Sequence, residues 1–249
     1  MFFRLQTQLK NPKLFIYNLF HLIKCFLFPN LVWEFDNGIR FYQKYLIGFQ
    51  ILRYKKINLH EPDVEAVFLD IFKSYKDKGC FIDVGAAGGY YSILIKNHLT
   101  KIVVHAFNPH PYFFKMFKDH LALNKVRGDV FQHKVAISDH IGNCDISGGW
   151  GGGIIDGDSV AMSTLDAFST EANISDVFLL KIDIQGAELA ALKGASELLK
   201  RTQFVICETH TSQLYKQCKD LLELSGHTVL QESAKVVSHE GGLLVTKLA

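Results

Sequence analysis

Three stretches of this chain place chemically capable side chains at the ends of apolar runs. The first is Asp83-Val84-Gly85-Ala86-Ala87-Gly88-Gly89-Tyr90-Tyr91-Ser92. Gly85 would let a ligand approach the backbone closely, and Gly89 would allow a tight entry into a following helix. Asp83 could accept a hydrogen bond from a cationic or hydroxyl-bearing ligand. The other two stretches are pairs two residues apart, Asp183 with Gln185 and Glu208 with His210. Such spacing directs both members of a pair to one face of a strand end, where acids and an imidazole can exchange protons with a bound molecule. Lys181 shares the face of Asp183 by the same alternation and reads as a structural lysine paired with a nearby carboxylate. The glycine spacing is not the G-x-G-x-x-G of a dinucleotide site, and no G-x-x-x-x-G-K-[ST] loop is present, which argues against nicotinamide and nucleoside triphosphate ligands.

Those side chains need strands and helices to hold them. Helical periodicity covers 61–75, and a short apolar run at 80–84 ends in glycines, which predicts a buried strand. Further strands are expected at 101–107, 129–137, 177–184, 204–208, 228–231 and 243–246. Helices are expected at 90–97, 112–124, 187–199 and 212–224. Strands separated by helices imply a parallel sheet with right-handed crossovers, and such sheets bind ligands outside the carboxyl ends of their strands. The 249 residues suit one such domain, expected at 59–249, with an appendage at 1–58.

Hydrophobic residues make up 48% of the chain and charged residues 21%, as in a folded core. A formal charge of +2, with no long basic run after residue 60, argues against a nucleic acid partner. The cysteines at 25, 80, 144, 207 and 218 are odd in number and contain no C-x-x-C pair, so neither a disulfide framework nor a zinc knuckle is expected. A reducing compartment, the cytoplasm, fits this usage. Asp139, Asp166 and Asp183 are too dispersed to suggest a metal site. The cluster of glycines around Trp150 predicts a mobile loop.

The first 33 residues contain no acid, four basic residues and eight aromatics. A helix over 14–28 would carry one polar stripe, Asn18, His21 and Lys24, and end before Pro29-Asn30. Polar interruptions and the lack of a small-residue cleavage site argue against a signal peptide, and the run is too short to span a bilayer. Two readings remain: a helix packed on the domain or a second subunit, and an interfacial helix making peripheral membrane contact through residues 1–30. Beyond it, Asn37-Gly38 predicts the tight turn of a hairpin.

Five stretches together resemble the FkbM family of methyltransferases: FIDVGAAGGYYS at 81–92, VHAFNPHP at 104–111, VAISDHIGN at 135–143, STLDAF at 163–168 and LLKIDIQGAELAALKGA at 179–195. The resemblance spans roughly residues 78–210. It implies a class I methyltransferase fold, an α/β, Rossmann-like, mostly parallel seven-stranded sheet with helices on both faces. It also implies S-adenosylmethionine as methyl donor and a hydroxyl acceptor on a saccharide, glycolipid or secondary metabolite. Asp83, Gly85, Ala86, Gly89, Tyr90, Asn108 and Asp183 are then expected at the cofactor.

Three positions depart from the family pattern. Asn108 stands where an acid usually holds the ribose hydroxyls. Gln185 replaces the middle acid of D-x-E-G-x-E, leaving Asp183, Gly186 and Glu188. Ala87 and Gly88 stand where Asn and a larger apolar residue are frequent. The departures at 108 and 185 motivate an alternative, a catalytically weak binding or assembly module of the same fold. For transfer to oxygen the chain needs a base. His210 is the first candidate, oriented by Glu208, and Asp183 is the second candidate or a contact to the amino group of the donor.

Overall fold

Two runs, Cys80–Val84 and Val177–Ile182, are buried at every position. Strands without polar alternation must be covered on both faces, and these two form the centre of the structure. The structure is a computed structural model and describes residues 12–145, 159–233 and 241–249. In chain order the elements are α1 (Pro12–Leu27), β1 (Val32–Glu34), β2 (Arg40–Tyr42), α2 (Gly48–Tyr54) and α3 (Pro62–Phe72). Then follow β3 (Cys80–Val84), α4 (Tyr90–His98), β4 (Val104–Phe107), α5 (Pro111–Leu123) and β5 (Val130–His133). Three short strands come next, β6 (Ala136–Ile137), β7 (Gly142–Asp145) and β8 (Ser159–Ser163). The chain closes with α6 (Leu165–Glu171), β9 (Val177–Ile182), α7 (Glu188–Lys193), α8 (Ser196–Leu199), β10 (Thr202–Glu208), α9 (Ser212–Leu224), β11 (His227–Ser233) and β12 (Leu243–Leu248).

The central sheet has seven strands in the order β11-β12-β10-β9-β3-β4-β5. Only β12 runs antiparallel to its neighbours. This is the doubly covered, mostly parallel sheet that the family resemblance implies. From β3 the chain steps outward through β4 and β5, then returns to β9 on the other side of β3. The reversal opens a crevice at the carboxyl ends of β3 and β9, where Asp83 is in register with Lys181 and Val84 with Ile182. One face of the sheet packs Phe81, Ile93 and Phe117 against the hairpin residues Phe35, Ile39 and Phe41. The other packs Ile82, Leu180, Leu192 and Leu198.

Two elements expected to be continuous are broken. The strand at 129–137 divides into β5, in the main sheet, and β6, which pairs with β8 in a separate three-stranded sheet. The helix at 187–199 divides at Gly194 into α7 and α8. A Cβ on Gly194 would lie 2.1 Å from the Ser138 carbonyl oxygen, so this glycine is where the helix meets the β6 segment. Asp166 then caps α8, its carboxylate accepting the N–H groups of Glu197 and Leu198. In both cases apolar periodicity runs through the break, and only the tertiary contact marks it. The glycines around Trp150 lie outside the described residues.

The hairpin turns at Gly38 with φ +80°, as Asn37-Gly38 predicts. The N-terminal helix forms, with its polar stripe turned inward: Asn18 and His21 are buried and only Lys24 of the three is exposed. Among the described residues no helix is long and apolar enough to cross a membrane.

Candidate active site at the carboxyl ends of β3 and β9

The loop Gly85–Gly89 leaves β3 with its first two N–H groups, of Gly85 and Ala86, both donated to the Phe107 carbonyl at 3.2 and 3.3 Å. Gly85 has φ +88°, and a Cβ there would stand 1.9 Å from the Asp183 carbonyl oxygen. Backbone packed against the end of β9 is therefore by itself sufficient to require glycine here. Gly89, at φ +82°, begins α4, and a Cβ there would enter the Phe117 ring at 2.1 Å. The loop also contains Ala87 at φ +43°, a left-handed conformation costly for a residue with a Cβ.

Two side chains brace this loop. Asn108, just past β4 and 5% exposed, accepts the Ala87 N–H at 2.9 Å and donates to the Ala87 carbonyl at 3.1 Å. Both ends of an amide expected to face a ribose are thus engaged with the loop itself. His120 accepts the Tyr42 N–H at Nε2 (3.2 Å), which leaves the proton on Nδ1 for the Gly88 carbonyl at 2.9 Å. Its ring stacks on Phe41 at 3.8 Å, and burial pulls its pKa down to about 4, which keeps that neutral tautomer in place. The sequence reading missed His120. Its spacing from Met116 and Phe117 marks a buried helix face but not the loop it supports.

The remaining loop residues divide. Ala86 is buried beside the turn. The side chain of Tyr90 leaves the loop and points to the appendage, its hydroxyl bonded to Glu65 and to the Asn37 amide, each at 2.7 Å. With the hydroxyl so engaged, its backbone is the part of Tyr90 that faces the loop. Asp83 is fully buried; its Oδ2 accepts from the Ser92 hydroxyl at 2.6 Å, and its Oδ1 has no hydrogen-bond partner. Burial raises its pKa against the opposing charge of Lys181.

At the neighbouring strand ends, Lys181 is 2% exposed. Its Nζ lies 3.3 Å from Asp183, 3.4 Å from Glu208 and 4.9 Å from the Tyr91 ring centre. Burial would lower its pKa, but the carboxyls of Asp183, Glu208, Asp83 and Glu61 outweigh burial and raise it. Glu208 responds the other way. Burial pushes it up to about 8 despite Lys181.

His210 meets Glu188, not Glu208. Its Nδ1 is 2.7 Å from Glu188 Oε1, and its Nε2 is 2.7 Å from the Gln185 amide nitrogen and 3.6 Å from Asp183. This corrects the expected Glu208–His210 pair, and the reason is local. Strand β10 ends at Glu208, Thr209 closes a two-way backbone link with Gly242, and His210 lies beyond the alternation. With the Gln185 amide donating to Nε2, the imidazole proton sits on Nδ1 and is donated to Glu188. Burial lowers the His210 pKa, but the Glu188 bond and the charges of Asp183 and Glu188 outweigh burial and raise it. Gln185 reaches this position from φ +58°, so two residues without glycine's freedom, Ala87 and Gln185, are held in left-handed backbone at the crevice. Glu188 stood in the D-x-Q-G-x-E pattern but had been given no role.

The methyltransferase FkbM domain model matches residues 83–232, more than half of the chain. This chain belongs to the FkbM methyltransferase family. Members are S-adenosylmethionine-dependent methyltransferases. Among solved structures, methyltransferase FkbM from Methylobacillus flagellatus KT is similar at 16% identity and TM-score 0.49, over 69% of this chain and 44% of that one. The fibrillarin pre-rRNA processing protein of Methanococcus jannaschii is similar at 12% identity and TM-score 0.47, over 70% and 67%. Streptococcus pneumoniae Sp1610, solved in complex with S-adenosyl-L-methionine, is similar at 14% and 0.47, over 73% and 72%. The chain thus spans less than half the length of the FkbM structure. No curated protein matches it. The FkbM-family crevice fits a cationic donor in one respect visible here: a buried carboxylate oxygen, Asp83 Oδ1, lacks a partner at the foot of the loop.

Proposed function

We propose that this chain catalyses methyl transfer from S-adenosylmethionine to a hydroxyl of a saccharide, glycolipid or secondary metabolite in the cytoplasm. The observation that carries the reading is the imidazole of His210 tied at Nδ1 to Glu188, 2.7 Å away, beside the crevice. The backbone of Gly85, Ala86, Gly89 and Tyr90, with Asp83 and Asp183, would hold the donor, and Asn108 would serve it through the loop that its amide braces at Ala87. Bound S-adenosylmethionine supplies a methyl group activated by its sulfonium.

The residues of the chain do the rest. The acceptor hydroxyl takes the place of the Gln185 amide at Nε2 of His210, which receives the hydroxyl proton as the oxygen attacks. Glu188, fully buried, keeps the other ring proton and stabilises the imidazolium. Lys181 fixes Asp183, the second candidate base, and lies 3.4 Å from Glu208, which does not contact His210 and would act only by placing Lys181. The test is direct: incubate the protein with the donor and panels of saccharides, glycolipids and small hydroxylated metabolites, and detect the demethylated donor with the methylated acceptor by mass spectrometry. Transfer only to nitrogen, or to nucleic acid, would refute the acceptor class.

A second reading, a binding or assembly module of the same fold, draws support from Asn108, whose amide is spent on Ala87, and from Gln185 at an acid's place. Calorimetry separates the two. Failure to bind both the donor and its demethylated product favours the module.

A further inference from the structure

Helix α1 packs with its polarity reversed. Asn18 and His21 face the protein, and His21 Nε2 meets the carbonyls of Gln43 and Leu46 at 3.0 and 3.2 Å. The outer face carries Ile16, Leu19, Phe20, Ile23, Phe26 and Leu27, all exposed, with Phe20 at 68% and Phe26 at 82%. On a helix of about 3.6 residues per turn these six fall within an arc of roughly 120°. A contiguous apolar face of this kind marks an interaction site.

Charge identifies what covers it. Residues 1–57 hold nine Lys and Arg against two Asp and Glu, whereas the rest of the chain holds eighteen against twenty-three. The net positive charge is confined to the appendage that bears the apolar face. Lys24 is exposed at the border of the apolar arc. Lys55, exposed beside Lys56 at the end of α2, lies 5.5 Å from the ring of Tyr17 on α1. Exposed Leu52 and Ile57 flank that pair of lysines.

We propose that this face docks on an anionic lipid surface, its leucines, isoleucines and phenylalanines entering the acyl boundary and its lysines reaching the headgroup phosphates. A second copy would instead bring two basic appendages together. The docking does not depend on the methyl-transfer reading. It differs from an ordinary surface helix in that His21 ties the polar side of the helix to the protein and the described apolar residues of the opposite side are left for lipid.

The experiment is flotation of the full chain with vesicles of phosphatidylcholine alone and of phosphatidylcholine with phosphatidylglycerol. The protein is expected to float with the anionic vesicles, less so at high salt, and to stay behind with the neutral ones. Phe20→Glu combined with Phe26→Glu should abolish flotation while leaving the thermal unfolding curve unchanged, because both side chains face solvent. Replacing Lys24, Lys55 and Lys56 by Gln should weaken binding about fivefold per lysine. Absence of flotation by the wild-type protein overturns the proposal, as does equal binding to both vesicle types. So does a concentration-dependent dimer that fails to float and that the Phe20 and Phe26 changes dissociate, which would assign the face to a second copy.

Discussion

Asn108 holds Ala87 by both ends of its amide, across 2.9 Å to the N–H and 3.1 Å to the carbonyl. Ala87 sits at φ +43°, a conformation that costs an L-residue with a Cβ roughly 1–2 kcal/mol. Two hydrogen bonds shielded from water offset a cost of that size. The amide makes both, whereas an ionised carboxylate accepts but cannot donate.

Asn108→Asp should therefore destabilise the protein by about 1–3 kcal/mol, because the Ala87 carbonyl loses its donor and faces a charged oxygen. Asn108→Leu should cost more, and Asn108→Glu should weaken donor binding by loosening the loop. Urea denaturation and calorimetry with S-adenosylmethionine measure both effects. If the Asp variant is as stable as the parent, the carbonyl contact contributes nothing, and an acid at 108 is free to serve a ribose.

Gly85 and Gly38 share nearly the same backbone, φ +88° and +80°, in different surroundings. A Cβ on Gly38 meets nothing within 4 Å, whereas one on Gly85 meets backbone oxygen at 1.9 Å. Gly38→Ala should cost about 1–2 kcal/mol, the conformational part alone. Gly85→Ala should cost at least about 2 kcal/mol more, from overpacking. Equal losses in thermal unfolding would mean that β9 yields easily and that the glycine answers to the ligand after all.

The His210–Glu188 contact predicts a pH signature. Because Glu188 and Asp183 raise the pKa of His210, a rate that needs neutral imidazole should climb with pH through a midpoint above the ordinary histidine value. Glu188→Gln removes a charge that favours the imidazolium, so the same midpoint should move to lower pH, in the rate profile and in the NMR titration of the ring. His210→Asn should lower turnover by about 100-fold or more with donor affinity nearly unchanged. An acid limb that stays put in Glu188→Gln would point to Asp183 as the base.

Glu208 predicts a pH dependence of stability. Burial pushes it up to about 8, from an ordinary 4.5, so the folded chain keeps a proton that the unfolded chain has lost. Its contribution is fully present below about 4.5 and is lost as pH rises through about 8, with a slope of at most about 1.4 kcal/mol per pH unit. Glu208→Gln stays neutral throughout and should flatten that slope. Denaturation midpoints of the two proteins from pH 5 to pH 9 decide it. Parallel curves would mean that Lys181 keeps Glu208 ionised in the fold.

The strands β3 and β9, the glycine loop between β3 and α4, the Asn37-Gly38 turn and the order of the seven strands of the main sheet were legible in the sequence, whereas α2, β7, β8 and α6 were not. Apolar periodicity and positive-φ glycines are properties of a few neighbouring residues, and no distant contact is needed to read them. The partners of the polar side chains were not legible. Alternation along β10 paired His210 with Glu208, yet the strand ends at Glu208, and His210 is met instead by Glu188 from α7. The family resemblance places Tyr90, after the glycine loop, and Asn108, after β4, at the cofactor, but it does not show that their side-chain hydrogen bonds go to Glu65 and Ala87. The stripe on α1 was visible as a stripe, while the side facing the protein depended on the Gln43 and Leu46 carbonyls that receive His21. A hydrogen bond binds whichever donor and acceptor the packed chain brings to about 3 Å, and that distance is set by elements tens of residues apart.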